Sequence, residues 1–199
     1  MDVLVVCAVA AEQAALGPVG AQVLVGGVGP AASAAATSRA LAARPYDLVL
    51  SAGIGGGFAP LGPGDVAVAS AVVFADLGAE TPDGFLTVAE LGFGTGRYDV
   101  GPQLAVELAD RTGGHLGTIV TVATVTGTAE TALALSRRFP DAVAEGMEGA
   151  GVAAAATLYG VPFAELRSIS NLVGPRDRES WDVPLALDAL GKAVAAVIG

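Results

Sequence analysis

Short apolar runs alternate with helix-forming stretches along almost the whole chain, and this alternation is the strongest constraint on its fold. The runs are residues 2 to 9, Ala21 to Val25, 46 to 52, Val66 to Phe74, His115 to Val125, a short one from Ala142, and Val161 to Ser170. Between and after them, helix formers begin at Ala10, fill Ala31 to Ala43 behind Pro30, and return from Pro102 to about Arg111, Thr128 to Phe139, Gly149 to Tyr159 and Val183 to Ile198. Several runs are apolar without alternation, as strands buried on both faces are. The pattern predicts an α/β fold, a three-layer sandwich with a central mixed β-sheet flanked by helices. At 199 residues, the chain is expected to form one domain over 1–199. Two stretches stand outside the alternation. Gly53 to Gly57 reads as a glycine loop after the third strand, and Asp76 to Gly96 as an aperiodic excursion at a pocket rim or subunit contact.

Charge and composition exclude several classes of function. A formal net charge of -10 with only 10 Lys plus Arg, none of them clustered, argues against nucleic-acid or anionic-membrane partners. The longest uncharged stretch, Gln13 to Ser38, is broken by Gly17, Pro18, Gly20 and four further Gly or Pro residues, so it is not a spanning helix. No charged leader with a small-residue cleavage pattern follows Met1, which predicts a cytoplasmic protein. Cys7, the sole cysteine, lies in the apolar run Val3 to Cys7 and reads as a buried small hydrophobe. The single His115, beside Gly113 and Gly114, reads as a surface residue. No zinc cluster, Ser-His-Asp relay or cofactor is expected from this inventory.

Polar groups are sparse enough that those at strand ends stand out. Glu12 falls where the first strand gives way to a helix, either as a first-turn acid favoured by the helix dipole or as a carboxylate facing a pocket. Glu148 follows the short strand from Ala142. Arg167, Ser170 and Asn171 close the run that begins at Val161, at the end of a strand where α/β sheets bind ligands. Gly27-Val28-Gly29-Pro30-Ala31-Ala32 imitates a dinucleotide fingerprint. The acid at the matching distance, Asp47, precedes its strand instead of ending it, so the match is weak. Cleaving a glycosidic bond requires a carboxylate to activate water, ligands for the sugar hydroxyls and donors for the departing group. These strand ends could supply all three.

The motifs Ala8-Val9-Ala10-Ala11-Glu12, Gly26-Gly27-Val28-Gly29, Ser51-Ala52-Gly53-Ile54-Gly55-Gly56, Gly146-Met147-Glu148-Gly149-Ala150 and Arg167-Ser168-Ile169-Ser170-Asn171 resemble those of the purine nucleoside phosphorylase and methylthioadenosine nucleosidase superfamily. The extension Ser170 to Asp177, followed by Trp181, is similar to its futalosine hydrolase branch. The resemblance implies a nucleoside phosphorylase-like fold, a homo-oligomer, a small-molecule nucleoside substrate, no cofactor, and a step of menaquinone biosynthesis. By position it implies that Glu12 handles the attacking water with Arg167 near the same centre. It gives Glu148 to the ribose hydroxyls, Met147 to the ribose face, Val125 and Thr126 to the base through their backbone, and Gly53 and Gly55 to the ribose and water site. Asn171, beside Ser170, falls to the imidazole and six-position side of the purine.

Two departures from the adenine-specific nucleosidases are informative. Those enzymes carry Asp where this chain has Asn171. An amide can donate to an oxo group and accept from a ring N–H, whereas a carboxylate suits an exocyclic amine, so Asn171 favours hypoxanthine. Ile54 stands where the nucleosidases often place a serine near the water. The loops near Gly26 and Gly53 hold no Arg or Lys for a phosphate, and Arg39 and Arg44 lie farther on, so hydrolysis is favoured over phosphorolysis. Arg176 or Arg178 is expected to reach the carboxylate of the 5′ substituent, or else only to lie in solvent or cap the last helix. A 6-oxopurine nucleoside phosphorylase and a non-catalytic nucleotide-binding module are the alternatives.

Overall fold

The computed structural model describes residues 1–199. In chain order its strands are β1 (Val3–Cys7), β2 (Gln22–Val25), β3 (Leu48–Gly57), β4 (Val66–Phe74), β5 (Gly78–Thr81), β6 (Gly84–Thr87), β7 (Arg97–Asp99), β8 (His115–Thr121), β9 (Ala142–Gly146) and β10 (Phe163–Leu172). The helices are α1 (Ala10–Leu16), α2 (Pro30–Ala43), α3 (Pro102–Thr112), α4 (Ala129–Arg138), α5 (Gly149–Tyr159) and α6 (Val183–Ile198). Local chemistry sets their ends. Pro30 and Pro102 open α2 and α3 with their φ already helical, Thr128 caps α4 by accepting from the Thr131 amide, and Asp182 caps α6 by accepting from Leu185.

The central sheet is mixed, as the alternation predicts. β1 joins β2 and β3 in parallel, β10 joins β3 in parallel and β4 antiparallel, and β8 runs parallel to β4 and β9. β3 also meets β9, so β3, β9, β8, β4 and β10 close into a ring from which β1, β2 and β7 extend. Alternation along β10 separates the layers. Ser168 donates to the Ala186 carbonyl of α6, whereas Glu165 faces Gly149 of α5. Helices α1 and α3 pack with α6, and α2 packs with α5. The core between includes the fully buried Leu4, Val5, Leu50, Ile119, Leu166 and Ile169.

Two expectations are corrected. Gly53 to Gly57 is the second half of β3 and not a loop. Glycine is needed there because of neighbours. A Cβ on Gly55 would sit 2.6 Å from the Glu145 carbonyl, and one on Gly57 2.8 Å from Ile169 Cγ2. Strand β3 trades β1 for β9 along one edge over these residues, and the absence of side chains lets it bend that tightly. The stretch Asp76 to Gly96 is also more regular than its composition suggests. It contains the β5–β6 hairpin turned at Pro82-Asp83, and it is anchored by Asp76, which accepts from the Ala123 amide, and by Arg138, whose guanidinium lies 4.1 Å from the Phe85 ring centre. The Pro-Asp-Gly sequence was the available turn signal. No helix is long and apolar enough to cross a membrane.

Candidate active site

The place where β3 changes neighbours is where the polar groups gather. β1 pairs with β3 up to Ser51, and β9 takes over at Gly56. The gap between them exposes the Ile54 amide, and Glu12 fills it. Glu12 Oε1 accepts from Ile54 N at 2.9 Å, while Oε2 accepts from Ala8 N at 2.8 Å and Val9 N at 3.2 Å. A carboxylate has about four lone-pair sites; backbone donors occupy three here, and the remaining one is available to a water. Gly53 has no room for a side chain, because a Cβ there would lie 2.6 Å from Glu12 Oε1 and 2.5 Å from Arg167 Nη1.

Arg167 lies under the floor of this site and is only 1% exposed. Its Nε donates to Glu165 Oε1 at 2.8 Å, Nη1 to Glu148 Oε2 at 3.1 Å and Nη2 to Ser51 Oγ at 3.1 Å. Burial works against its charge, but the carboxylates of Glu165, Glu148 and Glu12 outweigh that and hold the guanidinium above its ordinary range. Burial pushes the Glu165 carboxyl up despite Arg167, with Glu148 adding to the rise. Its Oε2 has no hydrogen-bond partner. One cation thus serves several acids, and Glu165 is the acid left short. Glu148, at the start of α5, also accepts from the Gly29 amide at 3.1 Å, and its carbonyl accepts from Ser33. The Gly29 turn that imitates a dinucleotide fingerprint therefore points its N–H at a carboxylate of the same chain.

A cavity of about 260 Å³ opens above these groups. Of the residues singled out from the sequence, Glu12, Glu148, Met147, Gly55, Val125, Thr126, Ser170, Asn171 and Arg176 line it, as does Ile54. Arg167 and Gly53 do not line it, and neither does Arg178. Ser170 and Asn171 can both face the cavity because β10 bulges between Ile169 and Asn171 against β3, which breaks the strand's alternation. Asn171 Oδ1 accepts from Ser170 Oγ at 2.7 Å, and its Nδ2 donates to the Leu172 carbonyl at 2.9 Å, leaving one amide hydrogen. Arg176 stands at the mouth 5.3 Å from the ring centre of Trp181, another lining residue, and pairs with no carboxylate. No residue between Asp76 and Gly96 reaches the cavity, so that stretch is not its rim. His115 is exposed, and the Cys7 thiol, buried and near Glu12, is pushed up to about 11. No three His, Cys, Asp or Glu side chains gather as metal ligands.

One lining residue escaped the sequence reading. Glu145, at the end of β9, is buried and accepts from the Thr126 amide at 2.9 Å and from its hydroxyl. Burial raises its carboxyl above the ordinary 4.5, opposed by the two Thr126 bonds. An acid closing the run Ala142-Val143-Ala144 was the signal, overshadowed by the Met-Glu pair that follows. A raised carboxyl stabilises the fold fully below about 4.5 and loses that contribution as pH rises through its folded value. Glu145→Gln should therefore gain thermal stability relative to the parent between pH 5 and pH 8. Melting curves at both pH values check this, and a variant deficit that grows with pH would contradict it.

Comparison with known proteins identifies the family and the fold. Residues 12–198 match the family described as the phosphorylase superfamily. Futalosine hydrolase of Streptomyces coelicolor is 55% identical over 183 residues, covering 89% of this chain and 78% of that protein. Futalosine hydrolase of Acidothermus cellulolyticus is 49% identical over 89% of this chain and 75% of its own length. Among solved structures, the native futalosine hydrolase of Helicobacter pylori superposes with a TM-score of 0.82 over 100% of this chain and 97% of that one, at 22% identity, a likeness of fold. The chain belongs to the futalosine hydrolase family of the phosphorylase superfamily.

Proposed function

We propose that this chain, working as one domain, hydrolyses the N-glycosidic bond of futalosine to hypoxanthine and dehypoxanthine futalosine, a step of menaquinone biosynthesis. The observation that carries hydrolysis over phosphorolysis is the commitment of the cations and amides at the cavity floor. Arg167 is bonded to Glu165, Glu148 and Ser51, and Gly29 N–H to Glu148, so neither is free for a phosphate. Water is the nucleophile that such a floor accommodates. In this reading Glu12 uses its remaining lone pair to orient and deprotonate that water as it attacks the anomeric carbon. Glu148 accepts from the ribose hydroxyls and favours the positive charge that develops on the sugar, and Met147 packs against its face. The base leaves with Asn171 donating to its oxo group, beside the backbone of Val125 and Thr126.

Incubating the protein with futalosine, with and without phosphate, tests the reading. Hypoxanthine should appear equally in both. Release that requires phosphate, with ribose 1-phosphate chemistry at the sugar, would favour the phosphorylase alternative. The 5′ substituent of futalosine ends in a carboxylate, and the unpaired Arg176 beside Trp181 is the group suited to it. Arg176→Ala should raise KM for futalosine about tenfold or more, the worth of one charged hydrogen bond, and Arg178→Ala much less. Equal KM changes in both variants would remove Arg176 from this role. The enzyme is further read as a cytoplasmic homo-oligomer; sedimentation of the purified protein tests the second part.

A further inference from the structure

Asn171, Gly56 and Glu145 form one row across three strands. Gly56 pairs with Asn171 of β10 on one side and with Glu145 of β9 on the other. Residues paired across a sheet point to the same face, and strands lie about 4.8 Å apart, so Asn171 and Glu145 flank Gly56 with their Cα atoms roughly 10 Å apart. Gly56 must lack a side chain because a Cβ there would lie 2.9 Å from Val173 Cγ2, with Asn171 Nδ2 at 3.5 Å. Both side chains line the cavity. The cavity thus carries an amide and a carboxylate in one row of its wall, with the Val173 side chain over the glycine between them.

We propose that Glu145 is a specificity-determining residue that accepts the N1–H of a 6-oxopurine, while Asn171 holds the neighbouring oxo group. The inference rests on the nucleosidase reading above. Its chemistry follows from what each edge carries. A 6-oxopurine presents a carbonyl at position six and an N–H at N1; a 6-aminopurine presents an amine and a bare nitrogen lone pair. Thr126 supplies two donors to Glu145, which fixes its orientation and leaves acceptor capacity on a carboxylate that lines the cavity. An acceptor facing N1–H completes a charged hydrogen bond. The same acceptor facing a bare N1 leaves two lone pairs opposed in a buried site, a mismatch that sites of this kind penalise by orders of magnitude. Thr126 is accordingly a positioning residue in this arrangement.

Glu145→Gln is the informative variant. Its new amide can still accept from Thr126 N–H and can donate to the Thr126 hydroxyl, which turns to accept, so the loop keeps its bonds. A glutamine can also meet either base, by its oxygen or its NH2. The kcat/KM ratio of futalosine to its 6-amino analogue should fall at least tenfold in the variant. Equal changes on both substrates would overturn the assignment, because a merely structural Glu145 would move them together. Calorimetric binding of hypoxanthine, 1-methylhypoxanthine and adenine to the unaltered protein gives a second readout that needs neither turnover nor the variant. Hypoxanthine should bind at least tenfold tighter than the other two, and equal binding of hypoxanthine and adenine would refute the role. Should futalosine remain uncleaved while hypoxanthine still binds at least tenfold tighter than 1-methylhypoxanthine, the nucleosidase reading fails and the role of Glu145 at N1 stands.

Discussion

Glu12→Gln should lower kcat on futalosine by about 10²- to 10⁴-fold, the usual contribution of a positioned general base, and should also weaken the fold. The second effect comes from the geometry of its three backbone bonds. Donors approach both oxygens, from Ala8 and Val9 on one side and Ile54 on the other. A glutamine must turn its NH2 toward one of them, leaving a buried donor unsatisfied at a cost of about 1–3 kcal/mol. Turnover at saturating futalosine and a urea titration check the two parts separately. A variant that keeps more than a tenth of the parent kcat would remove Glu12 from the proton transfer, whatever its stability.

Arg167→Met should be the most destabilising single change in the site. Methionine fills much of the volume, but Glu165 and Glu148 lose the cation that faces both of them, and Glu165 is sealed from solvent. Breaking a buried pair in this way typically costs about 3–5 kcal/mol. The deficit should depend on pH in a defined sense. The Glu165 carboxyl is already raised above its ordinary 4.5 by burial, and loss of Arg167 raises it further. A raised carboxyl stabilises the fold below 4.5 and loses that contribution as pH rises through the folded value. The variant should therefore be closest to the parent near pH 5 and furthest from it at pH 8. Adding Glu165→Gln should recover part of the loss at pH 8. Urea midpoints that match the parent at both pH values would show that the ion cluster contributes nothing net.

Much of this arrangement is legible in the residues because strand ends are where an α/β chain exposes polar groups. Glu12, Glu148 and Asn171 announce themselves as polar residues closing apolar runs, and all three line one cavity. Arg167 belongs to the same pattern, yet its side chain turns beneath the cavity toward Glu165, an orientation set by the alternation of β10 and by its neighbour two residues back. The glycines of β3 mislead in the other direction. Read locally, five residues with four glycines break a strand; in the fold they continue it, because the neighbours that crowd them, Arg167, Glu145 and Ile169, come from distant parts of the sequence. Glu145 is hidden for the same reason. Its significance depends on Thr126 and Asn171, and the pairing of β9 and β10 to either side of Gly56 is a property of topology.

The closed ring of strands also bears on the order in which the chain acquires its chemistry during synthesis. Strand β10 sits inside the ring, between β3 and β4, and Arg167 reaches Ser51 across 116 positions of sequence. Until that late segment leaves the ribosome, β3 lacks a neighbour, Glu148 lacks its cation and the cavity lacks a wall. Contacts of such sequence separation form slowly and expose unpaired edges meanwhile. A nascent chain that stops short of residue 172 is therefore inert toward its nucleoside and prone to self-association.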